Sequence, residues 1–387
     1  MHSDRSNRVV VGMSGGVDSS VAAALLKQQG YEPIGITMKV WPQDCLSRAE
    51  DKCCGPQAVA DARAVAAKLN IPHYVVDEAA EFEKLVIDYF AEEYRAGRTP
   101  NPCVMCNEKL KFGSLLERAR RLGAEFVATG HYARIVHSKD GISRLYRAVD
   151  SNKDQTYFLF SLRQQQLRYI LLPIGELTKS QVRKIAGELG LKTYDKEESQ
   201  EICFVPGQDY KEFLRKHSAS HPKAFRPGRI RDIYGRDIGE HNGLENFTIG
   251  QRKGLPGGFP KPLYVVDMDP DTCTVIVGPE EALLSKECTI ANTHWHPDLN
   301  GQESFTAWVK IRYQHSGCAA TIVKLSQDHA RIIFEEPQRA VTPGQALVAY
   351  TTDGMVLGGG WIQRTNTGNK PMTHIHPKAN NLESIVE

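Results

Sequence analysis

Residues 9–20 read Val9-Val10-Val11-Gly12-Met13-Ser14-Gly15-Gly16-Val17-Asp18-Ser19-Ser20, and this stretch decides the fold. The three valines have the apolar, β-prone profile of a buried strand. An amphipathic run follows through Val21, Ala22, Leu25 and Leu26, and Gly30 supplies the stop of a helix. A strand, a glycine turn and a helix N-terminus together make an anion site. The glycines let backbone approach a ligand closely, and the first-turn amides and helix dipole favour negative charge. Ser14, Ser19 and Ser20 add hydroxyls, while Asp18 could hold Mg²⁺ or cap the helix. The Lys of the ordinary phosphate loop is missing, so the motif belongs to a different nucleotide-binding class.

Working outward, the first two hundred residues alternate strand and helix. Strands are predicted at Arg8–Gly12, Pro33–Val40, His73–Asp77 and Glu125–Thr129, with helices at Val17–Gln29, Gln57–Leu69, Glu81–Arg95 and Glu108–Leu122. This order calls for an α/β domain with a parallel sheet covered on both faces, and ligands at the carboxyl ends of its strands. The glycine loop, Met38 and Thr129-Gly130-His131 all fall at such ends. A further helix is predicted from Thr178, as cap, to Leu189, with Gly190 as stop. Beyond Pro206, Gly and Pro become frequent and short β runs take over. They lie at Arg229–Ile233, Leu263–Met268 and Cys273–Val277, then at Phe305–Tyr313, Ala319–Leu325, Ala330–Phe334 and Ala346–Tyr350. Their spacing suggests antiparallel sheets or a small barrel. The domains expected are therefore 1–208, a central β-rich 209–282 and a C-terminal 283–366, followed by a polar tail, 367–387.

At 387 residues, with 41% hydrophobic and 24% charged residues, the chain has the composition of a soluble multidomain protein. It has neither an apolar run long enough to span a bilayer nor the apolar core of a signal peptide, so a cytoplasmic location with no membrane partner is expected. The net charge of +2 argues nothing about partners. Its distribution is more informative: Tyr94–Arg121 holds seven Lys or Arg against two Glu, and Lys223–Arg236 five against one Asp. Such patches suit phosphates or a solvated helix face equally. Nine cysteines, an odd number, argue against a disulfide framework.

Two cysteine contexts stand out. In Asn101-Pro102-Cys103-Val104-Met105-Cys106-Asn107, the prolines fix the backbone just before a helix, which would place Cys106 near a helix N-terminus where thiolate is favoured. Arg98, Lys109 and Lys111 push the same way. The other is Ser199-Gln200-Glu201-Ile202-Cys203-Phe204, where a cysteine in an apolar run reads by itself as core. Cys45, Cys53 and Cys54 present no fourth ligand at zinc spacing and read as incidental thiols of a loop.

The loop Ser14–Ser20 resembles the signature of the PP-loop ATP pyrophosphatases, which split ATP into AMP and pyrophosphate. The resemblance becomes specific when several motifs are taken in order. After the glycine loop come Asn-Pro-x-x-x-Cys-Asn with Lys111-Phe112, then Thr129-Gly130-His131-Tyr132-Ala133 and Lys153-Asp154-Gln155-Thr156-Tyr157-Phe158-Leu159. Ser199–Phe204, Phe247–Leu255, Lys310-Ile311-Arg312-Tyr313 and Pro343-Gly344-Gln345-Ala346 complete the series. Together they resemble the tRNA-specific 2-thiouridylases, over nearly the whole chain except its first few residues and its tail.

That resemblance implies a Rossmann-like PP-loop domain of the adenine nucleotide α-hydrolase type, a small central β domain and a C-terminal antiparallel β-barrel. It implies an ATP site at Gly12, Met13, Ser14, Gly15, Gly16, Val17, Asp18, Ser19, Met38 and Gly130, with Mg²⁺. It makes Cys106 the nucleophile and Cys203 the persulfide carrier, which would end the reaction as a disulfide. The target base would meet Asn101, Pro102 and Cys103, and the rest of the tRNA His131, Lys153, Asp154, Gln155, Arg312, Tyr313 and Gln345. The partners implied are a tRNA with a wobble uridine and a persulfide sulfur-donor protein, with the enzyme a monomer. Some members carry Asp where this chain has Cys103. The alternative is an iron–sulfur cluster held by Cys103, Cys106 and Cys203. A small-molecule PP-loop ligase would explain the glycine loop but not the two cysteines; a non-catalytic, ATP-dependent tRNA-binding module would bind tRNA equally well after Cys106→Ser and release no AMP.

Overall fold

Five short parallel strands carry the N-terminal domain, and the middle one is the valine run. The computed structural model describes residues 7–40, 55–196, 202–205, 209–219, 221 and 225–364. Cys45, Cys53, Cys54, Ser199–Glu201 and the tail lie outside them. The strands β1 (Arg8–Gly12), β2 (Glu32–Lys39), β3 (His73–Asp77), β4 (Phe126–Ala128) and β7 (Ile170–Leu171) assemble in the order β3-β2-β1-β4-β7. Each neighbouring pair is parallel. Between β4 and β7 the chain makes a hairpin, β5 (Ala133–His137) and β6 (Ser143–Arg147).

The central strand is buried on both faces because its side chains alternate between two cores. Val10 belongs to one and Val9 and Val11 to the other, and each valine is fully buried. Burial of each contributes roughly 1.5–3 kcal/mol. On the Val9/Val11 face lie α1 (Val17–Gln28) and α2 (Pro56–Lys68). Residues 79–95 form α3, α-helical at Ala79–Phe82 and Asp88–Arg95 with a π-helical stretch, Glu83–Ile87, between. On the Val10 face packs α4, residues 102–121, through Val104, Phe112, Leu115, Leu116 and Ala119. The helix α5 (Lys179–Glu188) begins at the predicted Thr178 cap and joins α1 and α2.

The sequence places the start of α4 at Glu108; the structure moves it back to Pro102. Proline at the first helical position costs no hydrogen bond, because that N–H would be unpaired anyway. Cys106 therefore sits more than one turn inside the helix rather than at its N-terminus. The dipole effect fades within the first turn, so the expectation of a helix-terminal Cys106 is corrected.

After α6 (Tyr210–His217) comes a four-stranded sheet of β8 (Gly228–Asp232), β9 (Asp237–His241), β10 (Tyr264–Asp269) and β11 (Thr274–Gly278), in the order β10-β11-β8-β9 around its own apolar cluster. The last six strands close an antiparallel barrel. They are β12 (Leu284–Trp295), β13 (Ser304–Lys310), β14 (Cys318–Lys324), β15 (His329–Arg339), β16 (Ala346–Tyr350) and β17 (Val356–Ile362), ordered β12-β15-β14-β13-β16-β17. The barrel does not stand apart: Ala346, Val348, Tyr350 and Val356 share the Val10-face core with α4. Among the described residues no helix is long and apolar enough to cross a membrane.

Closure depends on Gly358-Gly359-Gly360 in β17. A Cβ at Gly359 would lie 2.0 Å from the Leu347 carbonyl oxygen, and one at Gly358 1.9 Å from that of His294. Gly359→Ala is expected to destabilise the protein by ~1–3 kcal/mol or more through overpacking. Denaturant unfolding of the two proteins checks this, and an unchanged midpoint would contradict it.

Candidate active site

The glycine loop leaves β1 at Gly12 and enters α1 at Val17. Gly15 has φ +70°, and a Cβ there would come within 2.3 Å of the Ala58 carbonyl oxygen, so only glycine fits. Ser19 Oγ accepts from the Ser14 N–H at 3.2 Å and donates to the Gly16 carbonyl at 3.2 Å, and Ser20 Oγ donates to the same carbonyl at 2.8 Å. These bonds fix the curl of the loop. No side chain caps the start of α1, so its first-turn amides are left to an anion.

Gly130, just after β4, brings a second wall against this turn. A Cβ on it would meet the Asp18 carbonyl carbon and the Ser19 nitrogen, each at 2.6 Å. Its neighbours are consequently aimed around the loop. Thr129 Oγ1 and His131 Nδ1 are 2.7 Å apart, and the His131 ring lies 5.8 Å from that of Phe112. Burial, with the Lys111 charge nearby, holds the His131 pKa well below its ordinary value, so the ring is neutral. Tyr132 donates its hydroxyl to Asp18 Oδ1 at 2.8 Å. Asp18 also accepts from Lys179 Nζ at 2.8 and 2.9 Å. It thus forms an ion pair and does not cap its own helix. Nothing in the sequence marks Lys179 or Tyr132 as its partners, because both pairings span more than a hundred residues.

Met38 links two apolar clusters, and Cys106 and Cys203 share one of them. Met38 packs against both the Val10-face core and a second cluster built from Phe82, Phe90, Tyr94, Leu110 and Phe204. Cys106 and Cys203, both half-buried, pack against that second cluster too. Phe204 is its anchor, meeting Phe82 and Phe90 edge-on at centroid distances of 5.6 and 5.2 Å. Cys106 opens a π-helical stretch, Cys106–Ser114, in the middle of α4. Such stretches widen the helix and occur at functional sites. Gln166 Nε2 reaches two carbonyls of this stretch, Glu108 and Phe112, at 3.0 Å each. Asn107 Nδ2 donates to the Phe158 carbonyl at 3.1 Å. Cys103 is exposed.

Iron–sulfur ligation needs converging thiolates. Among the described residues, which include all three of these cysteines, no group of three His, Cys, Asp or Glu is arranged to hold a metal ion. Cys103, Cys106 and Cys203 as placed do not fit a cluster.

The remaining sequence-predicted residues divide into two sets. Arg312 is exposed, with Nη1 donating to the Arg339 carbonyl at 3.3 Å, and Tyr313 packs its ring 4.4 Å from Phe158. Lys153 is half-buried in the turn after β6. The others are used inside the protein. Asp154 is buried and accepts from the Ala148 and Thr156 backbone N–H groups and the Thr156 hydroxyl. Gln155 Oε1 accepts from the Tyr132 N–H at 2.9 Å. Gln345 Nε2 donates to the Thr99 carbonyl at 3.0 Å, just before the buried Asn101 and Pro102. Tyr157 donates to the Ala346 carbonyl at 2.9 Å. The C-terminal barrel therefore grips the start of the cysteine helix.

A HUP-type parallel sheet with an open anion loop, joined to two β domains, defines a multidomain nucleotide-binding protein. Three family models match in series: "tRNA methyl transferase HUP domain" over residues 7–207, "tRNA methyl transferase PRC-barrel domain" over 211–279 and "Aminomethyltransferase beta-barrel domain" over 285–362. The chain is 48% identical to the tRNA-specific 2-thiouridylase MnmA of Carboxydothermus hydrogenoformans, covering 92% of this chain and 98% of that one. Its identity to the MnmA of Geobacter metallireducens is also 48%, covering 93% and 98%. The chain belongs to the tRNA-specific 2-thiouridylase family. Among solved structures, an NMN synthetase from Francisella tularensis covers 57% of this chain and 81% of its own at 19% identity and a TM-score of 0.31, a likeness too loose to carry any argument.

His131 yields a pH prediction. Unfolded, it takes a proton near its ordinary pKa of about 6.5; folded, it refuses one, so the unfolded state binds more protons and stability falls as pH drops below about 6.5. His73, His294 and His315 shift in the same direction through burial. Unfolding free energy measured at about pH 7.5 and about pH 5.5 should drop for the native chain, and the drop should shrink in His131→Gln. An identical drop in both proteins would contradict a buried neutral ring.

Proposed function

We propose that this protein uses ATP to replace the 2-oxygen of the wobble uridine of tRNA by sulfur, with Cys106 as nucleophile and Cys203 as persulfide carrier. The observation that carries the proposal is the position of Met38, at the carboxyl end of β2. It belongs both to the Val10-face core of β1, the strand that leads into the glycine loop, and to the cluster against which Cys106 and Cys203 both pack. The glycine loop after β1 and the two thiols thus share the carboxyl end of the adjacent strands β1 and β2.

The chemistry gives each part a task. A uracil carbonyl oxygen is a very poor leaving group. Transfer of AMP to it, with loss of pyrophosphate, makes it part of a phosphate ester that departs readily as AMP. Amides of the glycine loop would stabilise the pyrophosphate as it leaves, and Mg²⁺ accompanying ATP would share that charge. Sulfur arrives as the terminal atom of a persulfide on Cys203, loaded by a sulfur-donor protein. If the Cys106 thiolate attacks the inner sulfur of that persulfide, hydrosulfide is expelled toward C2 and a Cys106–Cys203 disulfide remains. A dithiol reductant must then reopen it. The base must leave its stack to reach the site, and Asn101, Pro102 and Cys103, at the start of α4, are the residues proposed to meet it. Arg312 and Tyr313, on the barrel, are proposed to meet the rest of the tRNA.

Nucleoside mass spectrometry of a tRNA with a wobble uridine tests this, after anaerobic incubation with the protein, ATP, Mg²⁺ and a persulfide donor. Native protein should yield 2-thiouridine, and Cys106→Ser and Cys203→Ser should each lower the yield by roughly a thousandfold or more. A Cys106→Ser protein as active as the native one would contradict the assigned nucleophile.

A further inference from the structure

The stretch Ser14–Ser20 offers an anion amides and hydroxyls but no cation. Where an ordinary phosphate loop ends in lysine, this one carries Asp18, a negative charge on the second residue of α1. A triphosphate settling on the helix start would be repelled by that carboxylate. One lysine from outside the motif answers this charge, and a second approaches the loop beside it.

Lys179 is the first residue of α5, which packs on α1 through Val182 and Ala186 against Val17 and Val21. Its backbone is pinned, with Thr178 capping the helix and Asp150 Oδ2 accepting the Lys179 N–H at 2.9 Å. Its ammonium donates to both oxygens of Asp18 at 2.8 and 2.9 Å and lies 5.7 Å from the centroid of the Tyr132 ring, with the side chain only 12% exposed. Lys196 approaches the loop as well. Its Nζ donates to the Gly15 carbonyl at 3.2 Å and to Asp61 Oδ2 at 2.6 Å. Burial pushes the Asp61 carboxyl up, but hydrogen bonds from Lys196 and Gln57 and the charges of Lys196 and Lys192 outweigh it and hold its pKa below the ordinary value.

We propose that Lys179 is the cation that binds the β- and γ-phosphates of ATP, taking in space the place of the lysine the motif lacks, with Lys196 flanking the loop at Gly15. The inference rests on the ATP-dependent reading above. Asp18 and Tyr132 hold the ammonium beside the open amides of α1, and an arriving triphosphate competes with Asp18 for it. A lysine supplied by the next layer of helix, and not by the loop itself, couples nucleotide binding to the seating of α5 on α1.

Calorimetric titration of the full chain with ATP and Mg²⁺, and separately with AMP, tests the assignment. Lys179→Met should weaken ATP binding roughly tenfold or more while changing AMP by less than about threefold, because only ATP carries the phosphates in question. Lys179→Arg should retain most of the affinity. Since Lys179→Met strips Asp18 of its partner, the comparison is repeated in an Asp18→Asn background, where no charge is left stranded, and thermal melting confirms that each variant folds. There too, adding Lys179→Met should cost ATP affinity and spare AMP. Unchanged ATP affinity in both backgrounds, or equal losses for ATP and AMP, would overturn the role of Lys179. Native protein that fails to bind ATP would overturn the ATP-dependent reading itself, and this inference with it.

Discussion

Two places where backbone meets backbone with no room for a side chain hold the site together. At Gly15 the glycine loop lies against Ala58 of α2, and at Gly130 the exit of β4 lies against Asp18 and Ser19 of α1. A Cβ at either position would require the backbone to shift, because the opposing atoms belong to the main chain and not to a flexible side chain. The loop is consequently held from two sides, and its amides point outward without a capping side chain. The close approach at Gly130 also sets the direction of the next residues. His131 turns into the interior beside Phe112, and Tyr132 reaches back to Asp18.

A second constraint joins the far end of the chain to the same place. Gly344, at φ +88°, lies against Arg98 and Thr99, with the Thr99 N–H donating to the Pro343 carbonyl at 2.9 Å. Gln345 and the carbonyl of Ala346 continue this seam to Thr99 and Tyr157. The barrel is therefore a wall of the N-terminal domain as well as a separate β unit. Its shared core with α4 makes the geometry around Asn101–Cys106 depend on residues more than two hundred positions away.

Most of the N-terminal fold was legible because its signals are local. Val9–Val11 announced a strand buried on both faces, and Thr178 and Gly190 bracketed α5 by cap and stop. The strand β17 escaped because Gly358-Gly359-Gly360 reads as a breaker, whereas the close approach of β12 and β16 is what requires glycine there. β12 escaped because polar residues interrupt Leu284–Trp295. The start of α4 was misplaced although Pro102 carried the signal. Of the candidate site, the glycine loop was legible from residue types alone. Cys203, by contrast, took its meaning only from a resemblance, since a cysteine beside Ile202 and Phe204 reads as core, and the structure does pack it against an apolar cluster. The pairing of Asp18 with Lys179 left no trace in the sequence, because complementary charges carry no information about which of many partners they meet.

The central claim is that activation of the uridine by ATP and delivery of sulfur by the cysteines are separate steps at the carboxyl end of the sheet. Pyrophosphate release by Cys203→Ser protein, with ATP, Mg²⁺ and a tRNA bearing a wobble uridine, tests it most directly. The account predicts pyrophosphate released only when that tRNA is present, with no 2-thiouridine formed. Failure of Cys203→Ser to release any, under conditions where the native protein does, would contradict it, as would release that ignores the tRNA.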